Sequence, residues 1–410
     1  MISGSLTNQG DKRVKKLLAI ILAAFMCTVF FTACDSGKNE TLTIWCADMD
    51  REIIAGMVND FLATKPAVKG IEIEICEDDG AREKFENNPA AAADVLCIPH
   101  DQLGALVSQG YLLEITDDKH IAAIQQNTSP SVSAGRIGDR QYGFPSSFET
   151  HMLFYDKSLV SDIAAQTLEG ILSSAIPDGG YHFAMDFGNA YFTSNWFFTY
   201  GCQLFGDNGE DRDFCDFNSA GGVAAMTYLI EGSATGRFGN LNSDDAIVLF
   251  KEHKLGGYVG GPWNAAAVTE ALKGNYGCAA LPSVDGKAMK SFAGFKLYCV
   301  NANTKNKTIS MDLAAWLTNT DNQKNRFQTR NLVPVAVLHA DDADVAVSAT
   351  AKAVMAQGPN AIAMPSIPEM SHFWAPTGDF TLACYQGEIE IPDLQTKLNE
   401  LSATIKGRPE

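Results

Sequence analysis

Strand and helix patterns alternate along the first apolar part of the chain. Ile71–Ile75 carries an isoleucine at every second position, which is typical of a strand, whereas apolar residues in Arg51–Thr64 recur at helical spacing. Two apolar runs, Leu42–Trp45 and Ala93–Ile98, resemble buried strands, and Leu103–Leu112 again has helical spacing. This alternation predicts an open, mainly parallel α/β sheet.

Such sheets bind ligands beyond the carboxyl ends of their strands. Two of the predicted strands are followed there by polar segments, Cys46–Arg51 and Pro99–Gln102. These two segments are therefore the expected ligand-facing ends of their strands. The sequence thus predicts part of a binding site there.

A second α/β pattern continues to about Pro282, and helices predominate in the last hundred residues. The chain has 410 residues, more than one ordinary core accommodates, so we expect two lobes. We find no internal repeat and no linker rich in proline or serine between the patterns. Strands that pass from one lobe to the other are then the expected connection.

The N terminus carries a secretory pattern. A basic segment around Lys15 precedes the apolar run Leu17–Phe31, and small residues with Cys34 follow. Cysteine at the cleavage point predicts a lipoprotein signal peptide over residues 1–33, with Cys34 lipidated and residues 34–41 as a tether. A transmembrane anchor is the alternative, but the run is shorter than the ~20 residues that a bilayer core requires.

The net charge of the chain restricts its possible partners. The whole chain carries −18, and residues 1–33 hold four basic residues and one acid, so their removal leaves about −21. This balance argues against nucleic acid as a partner. The sequence contains no zinc spacing, no phosphate-binding loop and no nucleophile elbow, so we expect neither a metal nor a cofactor.

Two cysteines flank a predicted turn. Gly206–Gly209 has the composition of a hairpin turn. With the turn centred between Asn208 and Gly209, Cys202 would face Cys215, which makes a disulfide between them one interpretation. Two free thiols are the other.

Aromatic residues on predicted loops are candidates for ligand contact. Trp263 follows a strand and a proline, and Trp374 follows a segment with two prolines. Aromatic rings mixed with carboxylates suit sugars, because a pyranose has an apolar face and a rim of hydroxyl groups. For Tyr191 the residues alone leave ligand contact and core packing open. The other tryptophans, expected in the core, are Trp45, Trp196 and Trp316.

Five stretches together resemble a known family. The chain from Leu42 to the C terminus resembles the maltose-binding protein and its lipoprotein relatives, the solute-binding subunits of carbohydrate ABC importers. The stretches are Leu42–Trp45; Asp101–Gly104 with Gly110–Thr116; Phe148–Glu149 with Leu153–Lys157; Gly261–Trp263 with Asn275–Gly277 and Leu281–Pro282; and Met364–Met370 with Phe373–Trp374.

The resemblance implies a two-lobe periplasmic-binding-protein fold with a ligand cleft between lobes joined by crossover strands. The implied N-terminal lobe comprises 42–147 and 295–335, and the C-terminal lobe 148–294 and 336–410. Hinge strands are implied at Phe148–Glu149 and Phe292–Gly294, with a later crossing near Val333–Ala340. The implied ligand-binding residues are Trp263, Trp374, Tyr191, Glu149, Asp101, Asp50 and Asn189.

The implied function is a monomeric, non-catalytic receptor, held on the outer face of the cell membrane by the lipid on Cys34, that delivers an oligosaccharide to an ABC permease. The maltose-binding protein has Trp and Arg where Ile98 and Gln102 stand here, and Glu in place of Asn189. These departures favour a maltodextrin or another oligosaccharide over maltose itself. The alternatives are a receptor for a peptide, polyamine or chelate, and a glycoside hydrolase that uses Asp101 and Glu149.

Overall fold

The computed structural model describes residues 41–339 and 342–408. The predicted signal peptide, Cys34 and nearly all of the tether lie outside this range. The strands are β1 Leu42–Cys46, β2 Ile71–Ile75, β3 Val95–Pro99, β4 Arg136–Ile137, β5 Arg140–Gln141, β6 Gly143–Thr150, β7 Met152–Asp156, β8 Tyr181–Met185, β9 Phe238–Asn240, β10 Leu255–Gly260, β11 Tyr276–Ala279, β12 Ser291–Val300, β13 Val333–Pro334 and β14 Ala361–Ala363.

Helices cover the two large sheets that these strands form, and β4 and β5 form a separate two-stranded sheet. The helices are α1 Arg51–Thr64, α2 Ala81–Asn87, α3 Leu103–Ser108, α4 Asp118–Ile124, α5 Ser129–Ala134, α6 Leu168–Leu172, α7 Ala190–Thr199, α8 Ala220–Ala234, α9 Ser243–Lys251, α10 Ala265–Ala271, α11 Lys307–Leu317, α12 Thr320–Arg330, α13 Ala343–Val347, α14 Ala349–Gln357, α15 Trp374–Gln386 and α16 Leu394–Ile405. No described helix combines the length and apolar character needed to cross a bilayer.

The first sheet has seven strands in the order β13-β6-β12-β3-β1-β2, with β14 beside β12. Strands β1, β2 and β3 are parallel, as the alternating pattern predicts. Strand β12 runs antiparallel to both β3 and β6, so the sheet is mixed rather than mainly parallel. The antiparallel strands come from later in the chain, where the alternation gave no information.

Side-chain alternation in β1 explains why this sheet is covered on both faces. Ile44 and Cys46 pack with Phe61 of helix α1, whereas Trp45 points to the opposite face and packs with Phe85. Each face thereby buries apolar surface under a helix, which is the main source of stability for such a layer. The carboxyl ends of the strands stay uncovered and available to a ligand.

The second sheet has five strands in the order β11-β7-β10-β8-β9. Its largest apolar cluster contains Trp196, which is fully buried, and Phe373 next to the predicted ligand residue Trp374. The core assignment of Trp45 and Trp196 is confirmed. Trp316 lies half-buried against the first core and donates its Nε1–H to the carbonyl of Met57 at 2.9 Å.

Two long antiparallel strands connect the sheets. Strand β6 lies in the first sheet up to Thr150, and after His151 the chain enters the second sheet as β7. Its partner β12 starts beside it, with Gly294 opposite Glu149. The predicted hinge segments therefore pair with each other. Near the later predicted crossing, His339 Nε2 lies 2.8 Å from the carbonyl oxygen of Thr320 at the start of α12, and Ala340 lies outside the described residues.

The predicted hairpin register around Asn208–Gly209 is wrong by two residues. Cys215 pairs with Leu204 rather than with Cys202, because the loop between them is wider than a two-residue turn. Both cysteines are free thiols, so the disulfide does not form in this structure. Each thiol instead lies near a serine hydroxyl, Cys202 near Ser219 at 3.6 Å and Cys215 near Ser402 at 4.0 Å.

Candidate ligand-binding cleft

A cleft of about 600 Å³ lies where the loops at the ends of both sheets meet. The segments after β1, β2 and β3 line it from the first lobe, as the carboxyl-end argument predicts. The structure brings all seven sequence-predicted ligand residues to this cleft, namely Asp50, Asp101, Glu149, Asn189, Tyr191, Trp263 and Trp374. These residues span more than three hundred positions, so only the fold brings them together.

Aromatic rings form the wall contributed by the second lobe. Tyr191 lies 6.4 Å from Trp263 between ring centroids and 6.3 Å from Phe292. Phe292 in turn contacts Trp374 edge-on, with centroids 5.9 Å apart. Tyr191, Trp263 and Trp374 are half-buried, so each ring rests on the core and keeps part of its surface toward the cleft. Such a surface can stack on the C–H face of a sugar.

Local backbone geometry presents Trp263 to the cleft. Strand β10 ends at Gly260, and Pro262 starts a single 3-10 turn that contains Trp263. The Asn264 side chain accepts a hydrogen bond from the Gly261 amide at 3.1 Å and so fixes this turn. A Cβ atom at Gly261 would lie 2.1 Å from the Trp263 ring, so only glycine lets the indole fold back over the chain here.

Buried carboxylates form part of the opposite wall. Asp101 follows β3 and is 7% exposed, and Glu149 lies on β6 and is 6% exposed. Burial raises the pKa of Asp101 to about 6 and also raises the pKa of Glu149, while the charge of Lys296 opposes both shifts. Among the described residues, no side chain donates a hydrogen bond to Asp101. Its carboxylate is thus available to accept hydroxyl groups.

Hydroxyl groups at the cleft lack partners within the described protein. Tyr191 Oη and Ser147 Oγ are both inaccessible to solvent and neither is hydrogen-bonded. Burial raises the pKa of Tyr191 well above its usual value, and the charge of Glu149 adds to this effect. A buried polar atom without a partner is costly. Hydrogen bonds from ligand hydroxyl groups to these two atoms would require a local rearrangement, because neither atom has accessible surface.

His100 holds the turn that carries Asp101. Its Nδ1 accepts the backbone N–H of Phe295 on β12 at 3.2 Å. Nε2 must then carry the proton, and it donates to the carbonyl of Met364 at 3.1 Å. Burial lowers the pKa of His100 to about 4, so the neutral form persists at physiological pH. The turn is thereby fixed to a hinge strand and to the segment that leads to Trp374.

Two predicted ligand residues already have partners inside the protein. Asp50 Oδ1 accepts a hydrogen bond from Arg330 Nε at 2.9 Å, and both side chains are mostly buried. Asn189 caps helix α7, because its Oδ1 accepts the backbone N–H of Tyr191 at 3.0 Å. Asn189 therefore orients the aromatic residue, and its amide nitrogen remains for a ligand.

Sequence reasoning missed the basic residues of the cleft. Lys296 on β12 lies 3.1 Å from Asp78 and 3.7 Å from Glu149, and Arg326 donates to the Tyr298 hydroxyl at 2.9 Å. A lysine inside the otherwise apolar strand β12 was a signal that could have identified Lys296. Asp78 lies three residues beyond the carboxyl end of β2, where the same argument that located Asp101 applies.

The sequence profile of bacterial extracellular solute-binding proteins matches residues 57–356, which is most of the chain. The chain belongs to this family. Two lobes with a ligand cleft between them, joined by crossover strands, are the architecture that the resemblance implied, so the predicted fold class is confirmed.

Several relatives of this solute-binding protein are named for oligosaccharides. The galactooligosaccharide-binding protein of Bacillus subtilis is 28% identical, over 92% of this chain and 91% of the relative. The maltodextrin-binding protein MdxE of the same organism is also 28% identical, over 96% and 97%. The structure of MalX from Streptococcus pneumoniae in complex with maltopentaose superposes with a TM-score of 0.78, at 25% identity, covering 89% and 99%.

Within the described residues, no group of three or more histidine, cysteine, aspartate or glutamate side chains is arranged to hold a metal ion. The acidic residues of the cleft instead face the cations Lys296 and Arg330. What the solute-binding protein offers a ligand is an apolar aromatic surface on one side and hydrogen-bonding groups on the other.

Proposed function

We propose that this solute-binding protein captures an oligosaccharide of α-linked glucose outside the cell and delivers it to an ABC importer. One observation carries the proposal. Half-buried aromatic rings of one lobe face the Asp101 carboxylate of the other, to which no described side chain donates a hydrogen bond. A pyranose ring matches both sides, because its C–H face stacks on indole and its hydroxyl groups bind carboxylates.

The relatives support an oligosaccharide rather than a small ion or a peptide, since their names specify maltodextrin and galactooligosaccharide. Galactooligosaccharide is the second candidate ligand, and the first of these relatives favours it. Gln102 does not replace the missing arginine contact, because its amide binds the backbone at Asp79 and Arg82. With Ile98 fully buried, the first lobe relies on its carboxylates for ligand contact.

Cleft closure is the proposed mechanism. The ligand first stacks on Trp263 and Trp374, and contacts with Asp101 and Glu149 then favour the closed form. Closure requires a greater affinity for the closed form than for the open one, and the contacts with Asp101 on the first lobe and Glu149 on the hinge strand supply that difference. The importer recognises the closed form and accepts the sugar. We propose no catalytic step, and the relatives are named as binding proteins.

We also propose that the lipid on Cys34 anchors the protein to the outer face of the membrane as a monomer. The proposed lobes are 42–147 with 295–335, and 148–294 with 336–410. The separation of the strands into two sheets supports this division. Strand pairing would place the first two boundaries at His151 and Ser291, and the contact between His339 and Thr320 would move the last beyond His339.

The test is a titration of intrinsic tryptophan fluorescence with the soluble fragment 38–410. The panel contains maltose, maltotriose, longer maltodextrins, a galactooligosaccharide, a β-linked glucose oligomer, a polyamine and a peptide mixture. We expect a saturable change with the α-linked glucose oligomers only. Saturation with the galactooligosaccharide alone would transfer the proposal to that sugar. A response to the polyamine or the peptides without any sugar response would refute it.

A further inference from the structure

Strand β12 contains one cation in a run of apolar residues. Its sequence reads SFAGFKLYCV, and the lysine, Lys296, is 20% exposed. The ammonium group lies 3.1 Å from Asp78 Oδ2, in the segment after β2, and 3.7 Å from Glu149 Oε1 on the neighbouring hinge strand. A lysine placed at this depth is costly unless acidic groups compensate it. Its position therefore requires an explanation.

We propose that Lys296 is a positioning residue whose ammonium group keeps the Glu149 carboxylate charged and fixed at the cleft, where it accepts hydroxyl groups of the ligand. The inference rests on the proposed function and adds a residue for which the family resemblance gave no role. Asp78 serves as the anchor that holds the ammonium in place from the other side.

The surroundings of Glu149 show why a cation is needed. The groups that face it are Lys296 from β12, Asp78 after β2, Asp50 after β1, Asp101 after β3 and Tyr191 from α7. Burial and the charges of Asp78 and Asp50 all raise the pKa of Glu149, and Lys296 opposes them. Three carboxylates thus disfavour a fourth charge, and one ammonium compensates.

Charge on Glu149 matters for recognition. A carboxylate accepts hydrogen bonds through both oxygens, whereas a protonated carboxyl group donates one and accepts more weakly. Hydrogen bonds to an ionised acceptor are also stronger than those to a neutral one. Loss of the lysine charge should therefore weaken binding at neutral pH and spare it at a pH high enough to ionise Glu149 again.

The direct test is the titration of Glu149 in the soluble fragment 38–410, followed by NMR of ¹³C-labelled glutamate carboxyl groups. We expect Lys296→Met to raise the pKa of Glu149. Asp78→Asn should lower it, because that variant removes a neighbouring negative charge and retains the lysine. Lys296→Arg should leave it close to the wild-type value. Lys296→Gln takes the place of Lys296→Met where the methionine variant does not fold.

Opposite shifts in Lys296→Met and Asp78→Asn separate an electrostatic role from a structural one, since loosened packing would shift both variants alike. An unchanged pKa of Glu149 in the methionine variant would overturn the proposal. This readout requires no ligand, so it decides the role of Lys296 even where the sugar panel fails.

Affinity for maltotriose, measured by calorimetry from pH 7 to pH 9, is the second readout. The range begins above the wild-type pKa of Asp101, about 6, and because the charge of Lys296 also lowers that pKa, the Asp101 carboxyl group is followed by NMR in Lys296→Met as well. We expect wild-type affinity to change little. Lys296→Met should bind about tenfold more weakly at pH 7 for each unit by which the pKa of Glu149 exceeds 7, and recover toward pH 9. Equal weakness at every pH would contradict the positioning role.

Discussion

Single residues divide the cleft into an aromatic side and a charged side. Trp263 and Trp374 rest on the core of one lobe, whereas Asp101 is buried at the end of a strand of the other. The sequence predicted these residues because each follows a strand or a proline, where the local pattern is readable. Arg330 was not predicted, because its partner Asp50 lies 280 positions away and no local pattern reveals such a contact.

Removal of an aromatic surface should weaken sugar binding. We expect Trp263→Ala and Trp374→Ala each to reduce affinity for maltotriose by roughly tenfold to a hundredfold, since stacked aromatic contacts and their buried area together contribute about 1.5–3 kcal/mol. Calorimetry measures this loss. Trp316→Phe is the matched control, because Trp316 packs against the first core and does not line the cleft. Unchanged affinity in both alanine variants would exclude stacking.

At the scale of elements, the strength of the local pattern determined what was predictable. Helix α1 matches its predicted bounds because five buried residues recur at helical spacing. The helix predicted to reach Leu112 ends at Ser108, since Gly110 adopts a positive φ of 72° and turns the chain toward the next segment. The pairing register around the loop between Leu204 and Cys215 was predicted wrongly, because composition identifies a turn but not the number of residues in it.

Helix α3 also shows how closely elements of the two lobes approach each other. A Cβ atom at Gly104 would lie 1.7 Å from the carbonyl oxygen of Ser366, a backbone atom that cannot rotate away. We expect Gly104→Ala to reduce the free energy of unfolding by roughly 1–3 kcal/mol through overpacking, measured by urea denaturation.

Gly56 on helix α1 provides the control for this prediction. It is exposed, and a Cβ atom there meets no atom within 4 Å. Gly56→Ala should therefore stabilise the protein by about 1 kcal/mol through helix propensity alone. Equal effects of the two substitutions would show that α3 does not pack tightly on the backbone at Ser366.

At the scale of the whole molecule, alternating patterns predicted two α/β units, and the hinge strands emerged only from the resemblance. Local periodicity does not reveal that β6 pairs with β12, because the paired residues lie about 150 positions apart in the sequence. Lys296 is recognisable locally as a lysine within an apolar strand, but its partners are not. Its role depends on groups from three distant segments that only the complete fold brings together.

Thiol chemistry provides a test of the fold as a whole. The described cysteines are free thiols at positions 46, 76, 97, 202, 215, 278, 299 and 384. We expect denatured, unreduced fragment 38–410 to react at eight thiols with a thiol-specific reagent, and the native protein to react slowly because seven of them are buried. Burial also raises the pKa of Cys46 to about 12, which disfavours the reactive thiolate. If only six thiols reacted after denaturation, the result would support a disulfide between Cys202 and Cys215.

Because aromatic rings lie on one side of the cleft and carboxylates on the other, a ligand must contact both surfaces to favour closure. Among the described residues, the aromatic stacking surface comes from the second lobe and the carboxylates from the first lobe and the hinge strand, so a flat hydrophobe or a cation alone contacts mainly one side. Only a molecule that presents an apolar face and a hydroxyl rim together engages both halves. Closure then requires stacking and hydrogen bonding at the same time. Selectivity arises from this double requirement rather than from the affinity of either surface alone.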